Sequence, residues 1–165
     1  MNPSPTGRLV RTPTGRDLVL TRTFRAGIED VWASITEPER TARWFASWSG
    51  DAAPGKTIRY RMVFEEGDAE GEMLIEACEP PRHLAVSAEE ATLRWHLEAR
   101  LHEENGVTTL ELVHHLADGV GVGSVGPGWE FYLDMLVAAR DDTERPSFDD
   151  YFPAQQPYYE GLTPN

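Results

Sequence analysis

One stretch constrains this chain more than any other: Ser124 to Arg140, SVGPGWEFYLDMLVAAR. Val125, Trp129, Tyr132, Leu133 and Leu136 recur at the spacing of a single apolar stripe along a helix. Glu130, Asp134 and Ala138 fall on the opposite side. Gly126-Pro127 is expected to mark the entrance, because proline is tolerated in the first helical turn but not in the interior. Arg140 falls in the last turn, where a cation suits the carbonyl end of the helix dipole. No other stretch reads as a long, periodic helix, and most of the chain before it reads as strand. The expected architecture is therefore a sheet curled around this helix, with a cavity between them.

The strand pattern runs as follows. Arg8 to Arg11 is a short strand, turned by Thr12-Pro13-Thr14-Gly15 into a longer one ending at Arg25, with Leu18, Leu20 and Phe24 on one face. Ile28, Val31, Trp32 and Ile35 then change to a helical period, and Pro38 opens a second short helix, Glu39 to Phe45. Trp44, Phe45 and Trp48 follow so closely that they need a shared pocket. Thr57–Phe64 alternates, with Ile58, Tyr60, Met62 and Phe64 on one face. Glu65-Glu66-Gly67-Asp68 reads as a hairpin turn into 69–78, where Met73, Ile75 and Ala77 share a face. Pro80-Pro81 breaks that run before the short strand His83–Ala88. Leu93–Leu101 and Val107–Leu116 alternate on either side of Asn105-Gly106, the dipeptide of a tight hairpin. Hairpins make neighbours antiparallel, so the prediction is an α+β fold. It has a curved antiparallel sheet of about six strands around the long C-terminal helix, and two short helices after the first long strand. The whole of 1–165 reads as one domain, with residues 1–7 mobile and 141–165 an aromatic, proline-rich tail lying partly on the body.

Composition excludes several partners. Asp and Glu number 28 against 15 Lys and Arg, a formal charge of −13, which repels nucleic-acid backbones and anionic lipid surfaces. The single cysteine, Cys78, allows neither an intrachain disulfide nor a cysteine-rich metal site. The N-terminal residues lack the apolar core of a signal peptide and no run is long enough to span a bilayer, so a cytoplasmic protein is expected.

Several motifs carry a resemblance. Thr21-Arg22-Thr23-Phe24-Arg25-Ala26 with Glu29-Asp30-Val31-Trp32, then Thr36-Glu37-Pro38-Glu39 and Arg43-Trp44-Phe45, resemble the opening of the SRPBCC (START-like) proteins related to the activator of the 90-kDa heat-shock chaperone's ATPase. Glu79-Pro80-Pro81-Arg82-His83-Leu84 resembles the mid-sheet turn of that family. Thr109–His114 and Gly128-Trp129 with Leu133 and Leu136 resemble its last strand and last helix. The resemblance spans about Arg8 to Arg140. It implies a helix-grip fold with a deep apolar cavity and no particular reaction, because one fold hosts many functions.

Individual constellations add little chemistry. Gly121-Val122-Gly123-Ser124-Val125-Gly126 matches G-x-G-x-x-G, but no βαβ unit surrounds it, so a flexible loop is preferred to a dinucleotide site. No histidine pair has zinc-ligand spacing, and no metal or cofactor is assigned. His114 is the best single candidate for a polar anchor or general base, although a satisfied core histidine is the plainer reading. The carboxylates alternate as on a solvated face, so no catalytic residue is assigned. Cys78 reads as inert. The leading expectation is a binding protein for an apolar, aromatic or lipid-like small molecule, lined by Tyr60, Met62, Ile75, Trp95, Leu97, Leu112, His114, Trp129 and Leu133. The alternatives are a chaperone-associated interaction module and a cyclase- or aromatase-like enzyme. A second copy of the chain, as a homodimer, is a further candidate partner.

Overall fold

A computed structural model describes residues 3–64, 69–89 and 94–164. Its chain order is β1 (Arg8–Thr12), β2 (Gly15–Phe24), α1 (Ile28–Thr36), α2 (Pro38–Thr41), β3 (Ala46–Ser49), β4 (Thr57–Met62), β5 (Glu70–Glu79), β6 (His83–Glu89), β7 (Arg94–Glu104), β8 (Val107–Leu116) and α3 (Val122–Asp141). A 3-10 turn (Phe148–Asp150) and α4 (Gln156–Glu160) complete it. All eight strands form one antiparallel sheet, ordered β1-β2-β8-β7-β6-β5-β4-β3. The architecture is the expected helix grip, with eight strands instead of six. β1 completes the sheet at one edge. β3 forms the other, where the aromatic run after α2 turns into four residues paired with β4. The turn expected at Glu65–Asp68 and the strand start at Leu93 lie outside the described residues.

Local chemistry accounts for the sheet's shape. Asn105 and Gly106 adopt φ of +53° and +77° in the two-residue hairpin between β7 and β8, matching the right-handed strand twist. In β5 the pairing register shifts between Ile75 and Ala77, a bulge of the kind that bends a strand. The bulge also resets the alternation. Met73 and Ile75 face inward as expected, but beyond the bulge Cys78, not Ala77, borders the interior cavity.

The helix differs from its sequence reading in two respects. It begins at Val122, so Pro127 lies inside it rather than at its entrance. It is also buried around most of its circumference, including Phe131 and Met135 behind the apolar stripe and Glu130 at 1% exposure. The cause is the tail. Tyr151 and Tyr159 are fully buried against the back of α3, and Phe131 meets the rings of Phe148 and Tyr151 edge-on. A Cβ on Gly126 would come within 2.3 Å of the Tyr159 ring, and one on Gly123 within 2.9 Å of Glu160. Two glycines of the G-x-G-x-x-G run are therefore seats for α4, one turn apart on one helix face.

Glu130 is buried with partners. Arg22, on the inner face of β2 between Leu20 and Phe24, donates from Nη2 to Glu130 Oε1 and from Nε to Asp134 Oδ1, both at 3.0 Å. Burial alone would lower the Arg22 pKa, but the two carboxylates outweigh it and raise it. Thr6 donates to Glu130 through its backbone N–H at 2.5 Å and its hydroxyl at 2.7 Å, and the Tyr151 hydroxyl donates to Asp134 Oδ2 at 2.7 Å. Gly7 N–H donates to the Tyr159 hydroxyl at 3.1 Å. Residues 3–7, whose composition offers little to bury, are thus hydrogen-bonded to both the helix and the tail. Arg22→Ala strands a buried carboxylate and is expected to cost about 3–5 kcal/mol. The Arg22→Ala/Glu130→Gln pair should recover part of that loss, as read from urea unfolding midpoints.

Candidate functional site

Because α3 is clamped to β2 at one side of the sheet, it stands clear of the rest. A cavity of about 320 Å3 lies between them. Its wall comes from the inward faces of β4 (Ile58, Tyr60), β5 (Met73, Ile75, Cys78), β6 (Leu84, Val86), β7 (Leu97, Ala99) and β8 (Leu110, Leu112). Trp129 and Leu133 of α3 form the opposite side. Trp32, Ile35 and Thr36 of α1, Thr41, Trp44 and Phe45 around α2, and Ala46, Trp48 and Ala52 close one end. Leu84, Ala99 and Leu112 are only half-buried although they lie within the sheet on its inner face, as expected of side chains that border open space.

The wall is apolar in chemistry as well as in composition. Trp44 Nε1–H donates to the Ser34 carbonyl at 2.9 Å, and Trp48 Nε1–H to the Thr36 carbonyl at 3.0 Å. Trp129 Nε1–H donates to His114 Nδ1 at 3.0 Å. The hydroxyls of Thr36 and Thr41 donate to the Trp32 and Pro38 carbonyls. Each of these polar atoms is satisfied within the protein, which leaves ring faces and alkyl surface toward the cavity. Phe45 is the hub of an aromatic cluster, with ring centroids 5.5 Å from Trp44, 5.8 Å from Trp129, 6.2 Å from Trp95 and 5.1 Å, edge-on, from Tyr132. Tyr60 lies over its cross-strand partner Gly71, where a Cβ would come within 2.6 Å of the phenol oxygen. Burial raises the pKa of the Cys78 thiol, which disfavours the nucleophilic thiolate.

Of the residues named from sequence, Tyr60, Ile75, Leu97, Leu112, Trp129 and Leu133 border the cavity. Trp95 stands behind Phe45 and Tyr60, stacked on the latter at 6.1 Å, and Met62 is buried at the end of β4. His114 is buried behind Trp129 and fixes its indole. Burial lowers the His114 pKa to about 4, with the charges of His115 and His96 adding to the effect. The wall residues beyond that group come in part from further positions on β4 to β8 and in part from α1, α2, β3 and the turns beside them, Trp44, Phe45 and Trp48 among them. For the part from α1 to β3, the run Trp44, Phe45, Trp48 is the signal in the sequence.

The sheet's outer face carries a separate polar layer. His115 bridges Asp17 at 2.6 Å and Glu98 at 2.5 Å, and His83 reaches the other Glu98 oxygen at 2.7 Å. Hydrogen bonding to Glu98 raises the His83 pKa. Burial opposes the charged form of His115, but Asp17 and Glu98 outweigh it and raise that pKa also. Burial likewise opposes the charged form of Glu98, yet the two histidines bring its pKa down to about 2. Among the described residues no group of three His, Cys, Asp or Glu side chains is arranged to hold a metal ion, and no helix is long and apolar enough to cross a membrane.

A curved antiparallel sheet gripping a C-terminal helix around an apolar cavity defines an SRPBCC domain, a ligand-binding architecture. Residues 25–140 match the family model described as activator of Hsp90 ATPase homolog 1-like protein, and the chain belongs to that family. No curated protein sequence matches it. Among solved structures, CalU16 from Micromonospora echinospora is similar at 27% identity, over 96% of each chain, with a TM-score of 0.76. A Bordetella parapertussis protein is 23% identical over 100% of this chain and 96% of its own, also at 0.76. DynU16, from the dynemicin biosynthetic locus, shares the fold at 19% identity and a TM-score of 0.69. The match covers 83% of this chain and half of DynU16.

The titrations predict stability limbs of opposite sign. His114 binds its proton near 6.5 when unfolded and near 4 when folded. Its contribution is therefore present above 6.5 and lost as pH falls toward 4. Glu98 acts in the same sense below its ordinary 4.5. His83 and His115 have raised native values, so their contribution is full below 6.5 and lost as pH rises through those values. Urea midpoints measured between about pH 4 and pH 9 should peak near the middle of that range. His114→Gln should flatten the acid limb, and His83→Gln/His115→Gln the alkaline one.

Proposed function

We propose that this protein binds and carries a small, largely apolar, ring-bearing molecule between sheet and helix. One observation carries the reading: a cavity of about 320 Å3 whose tryptophan indole and threonine hydroxyl donors at Trp44, Trp48, Trp129, Thr36 and Thr41 are already paired with protein acceptors. A wall with its donors satisfied offers a guest dispersion and desolvation, worth about 25 cal/mol per Å2 of apolar surface removed from water. The volume lies within the usual size range of small-molecule sites. Aromatic faces from Trp44, Phe45, Tyr60 and Trp129 favour flat or ring-bearing guests. DynU16, which shares the fold, comes from a biosynthetic locus, so biosynthetic small molecules join ring-bearing compounds among the first to try.

Carriage is preferred to catalysis on the same ground. Among the described residues the wall sets no ionisable acid against a base. Glu98 reaches it only through backbone, since its carboxylate is held on the outer face by His83 and His115, and His114 is spent on orienting Trp129. The chaperone-associated alternative rests on the family description alone.

The test is a thermal-shift and tryptophan-fluorescence screen of polycyclic aromatic and fatty-acyl compounds. A guest at about 100 times its Kd adds about 2.7 kcal/mol, a rise of several degrees in Tm. Ala99→Phe places a ring in the cavity and should abolish the shift while leaving the unliganded fold intact. Shifts that survive Ala99→Phe, or a panel without any shift, would count against the cavity as the site.

A further inference from the structure

The molecule has a second concavity, of about 310 Å3 and opposite chemistry. It lies on the far side of α1 from the apolar cavity, bordered by Asp30 and Ser34 of α1, Arg40 of α2, Arg43 just after it, and Leu136, Ala139 and Arg140 of α3, with Trp44 common to both. Three arginines border it in a chain whose formal charge is −13, and Asp30 is the one carboxylate among the bordering residues.

The arginines are not equivalent. Arg140 is largely buried and fixed from several directions. Its Nη2 donates to Asp30 Oδ2 at 2.8 Å and its Nη1 to Ser34 Oγ at 2.7 Å, and its guanidinium stands 5.5 Å from the centroid of the Phe24 ring. Arg40 donates to the other Asp30 oxygen at 3.0 Å and lies 3.6 Å from Glu37, which is outside the pocket. Both oxygens of Asp30 are thus occupied in orienting two arginines. Arg43 is exposed and has no ion-pair partner among the described residues. A clamp between α1 and α3 accounts for Asp30, Ser34 and Arg140, but it has no use for Arg43.

We propose that this pocket binds the phosphate group of a small, soluble phosphorylated molecule. Asp30 preorganises two guanidiniums, and Arg43 supplies the charge left uncompensated. Guanidinium forks match phosphate oxygens in pairs, and the apolar floor of Trp44, Leu136 and Ala139 lowers the local screening by water. The volume exceeds what a bare phosphate fills, leaving room for an organic substituent. The acidic remainder of the surface disfavours the same group on an anionic membrane. The proposal is independent of the apolar guest.

The experiment is calorimetric titration of the full chain with inorganic phosphate and with phenyl phosphate, against sodium chloride at matched ionic strength, and cosedimentation with phosphatidic acid vesicles. Both phosphates should bind where chloride does not, phenyl phosphate more tightly. Arg43→Gln should weaken them about tenfold, the loss of one charge-assisted pair. Because the exposed Arg43 side chain makes no hydrogen bond or ion pair among the described residues, the variant should keep the parent Tm without ligand. Arg43→Lys should recover part of the affinity. Binding no stronger than that of chloride, binding indifferent to Arg43→Gln, or binding to vesicles alone would each overturn the proposal.

Discussion

The cavity exists because α3 is held at one side and left free at the other. Arg22 reaches inward from β2 to Glu130 and Asp134, and no β2 residue borders the cavity. The helix therefore leans on the β1-β2 side while the sheet curves away through β8 to β3. An ion pair at this depth contributes little net stability, because desolvation offsets most of the attraction. Its contribution is geometric, fixing the rotation of the helix about its own axis. Trp129 and Leu133 then face the hollow, and Tyr151 and Tyr159 cover the opposite side.

Much of this was legible in the sequence. The stripe of Trp129, Leu133 and Leu136, the Asn-Gly hairpin and the alternating strands follow from periodicities that local sterics impose. Glu130 lies opposite the apolar stripe as its spacing predicts, yet it is buried, and the spacing could not show that. Helical spacing shows which residues share a face but not what covers each face, and here the tail covers the back. Two signals were present. Arg22 interrupts the inward row Leu18, Leu20, Phe24 and so demands an anion, and the tail holds more large aromatics than a free segment can use. Pro127 was read as a helix start because proline is costly inside helices. Here the surrounding burial holds the extra turn in place.

The cavity wall was legible where it is sheet and illegible where it is not. Tyr60, Ile75, Leu97 and Leu112 follow from strand alternation. Cys78 does not, because a bulge at Ile75/Ala77 shifts the phase and a bulge leaves no mark in the alternation before it. Trp95 and His114 share the inward side with wall residues but sit behind other rings, and alternation gives a direction without a depth. The end wall from α1, α2 and β3 depends on how short elements dock, which tertiary contacts decide.

Tyr159 receives a hydrogen bond from Gly7 and rests on Gly126, so the two extremities of the described chain meet on one phenol. The Gly7 and Tyr159 partners are 152 positions apart and the Thr6 and Glu130 partners 124. Contacts of such sequence separation form late, after most loop-closure entropy has been spent. On a translating ribosome Thr6 and Gly7 would wait, unsatisfied, until Glu130 and Tyr159 had emerged. The barrel-like wall can assemble during that interval, but its latch cannot.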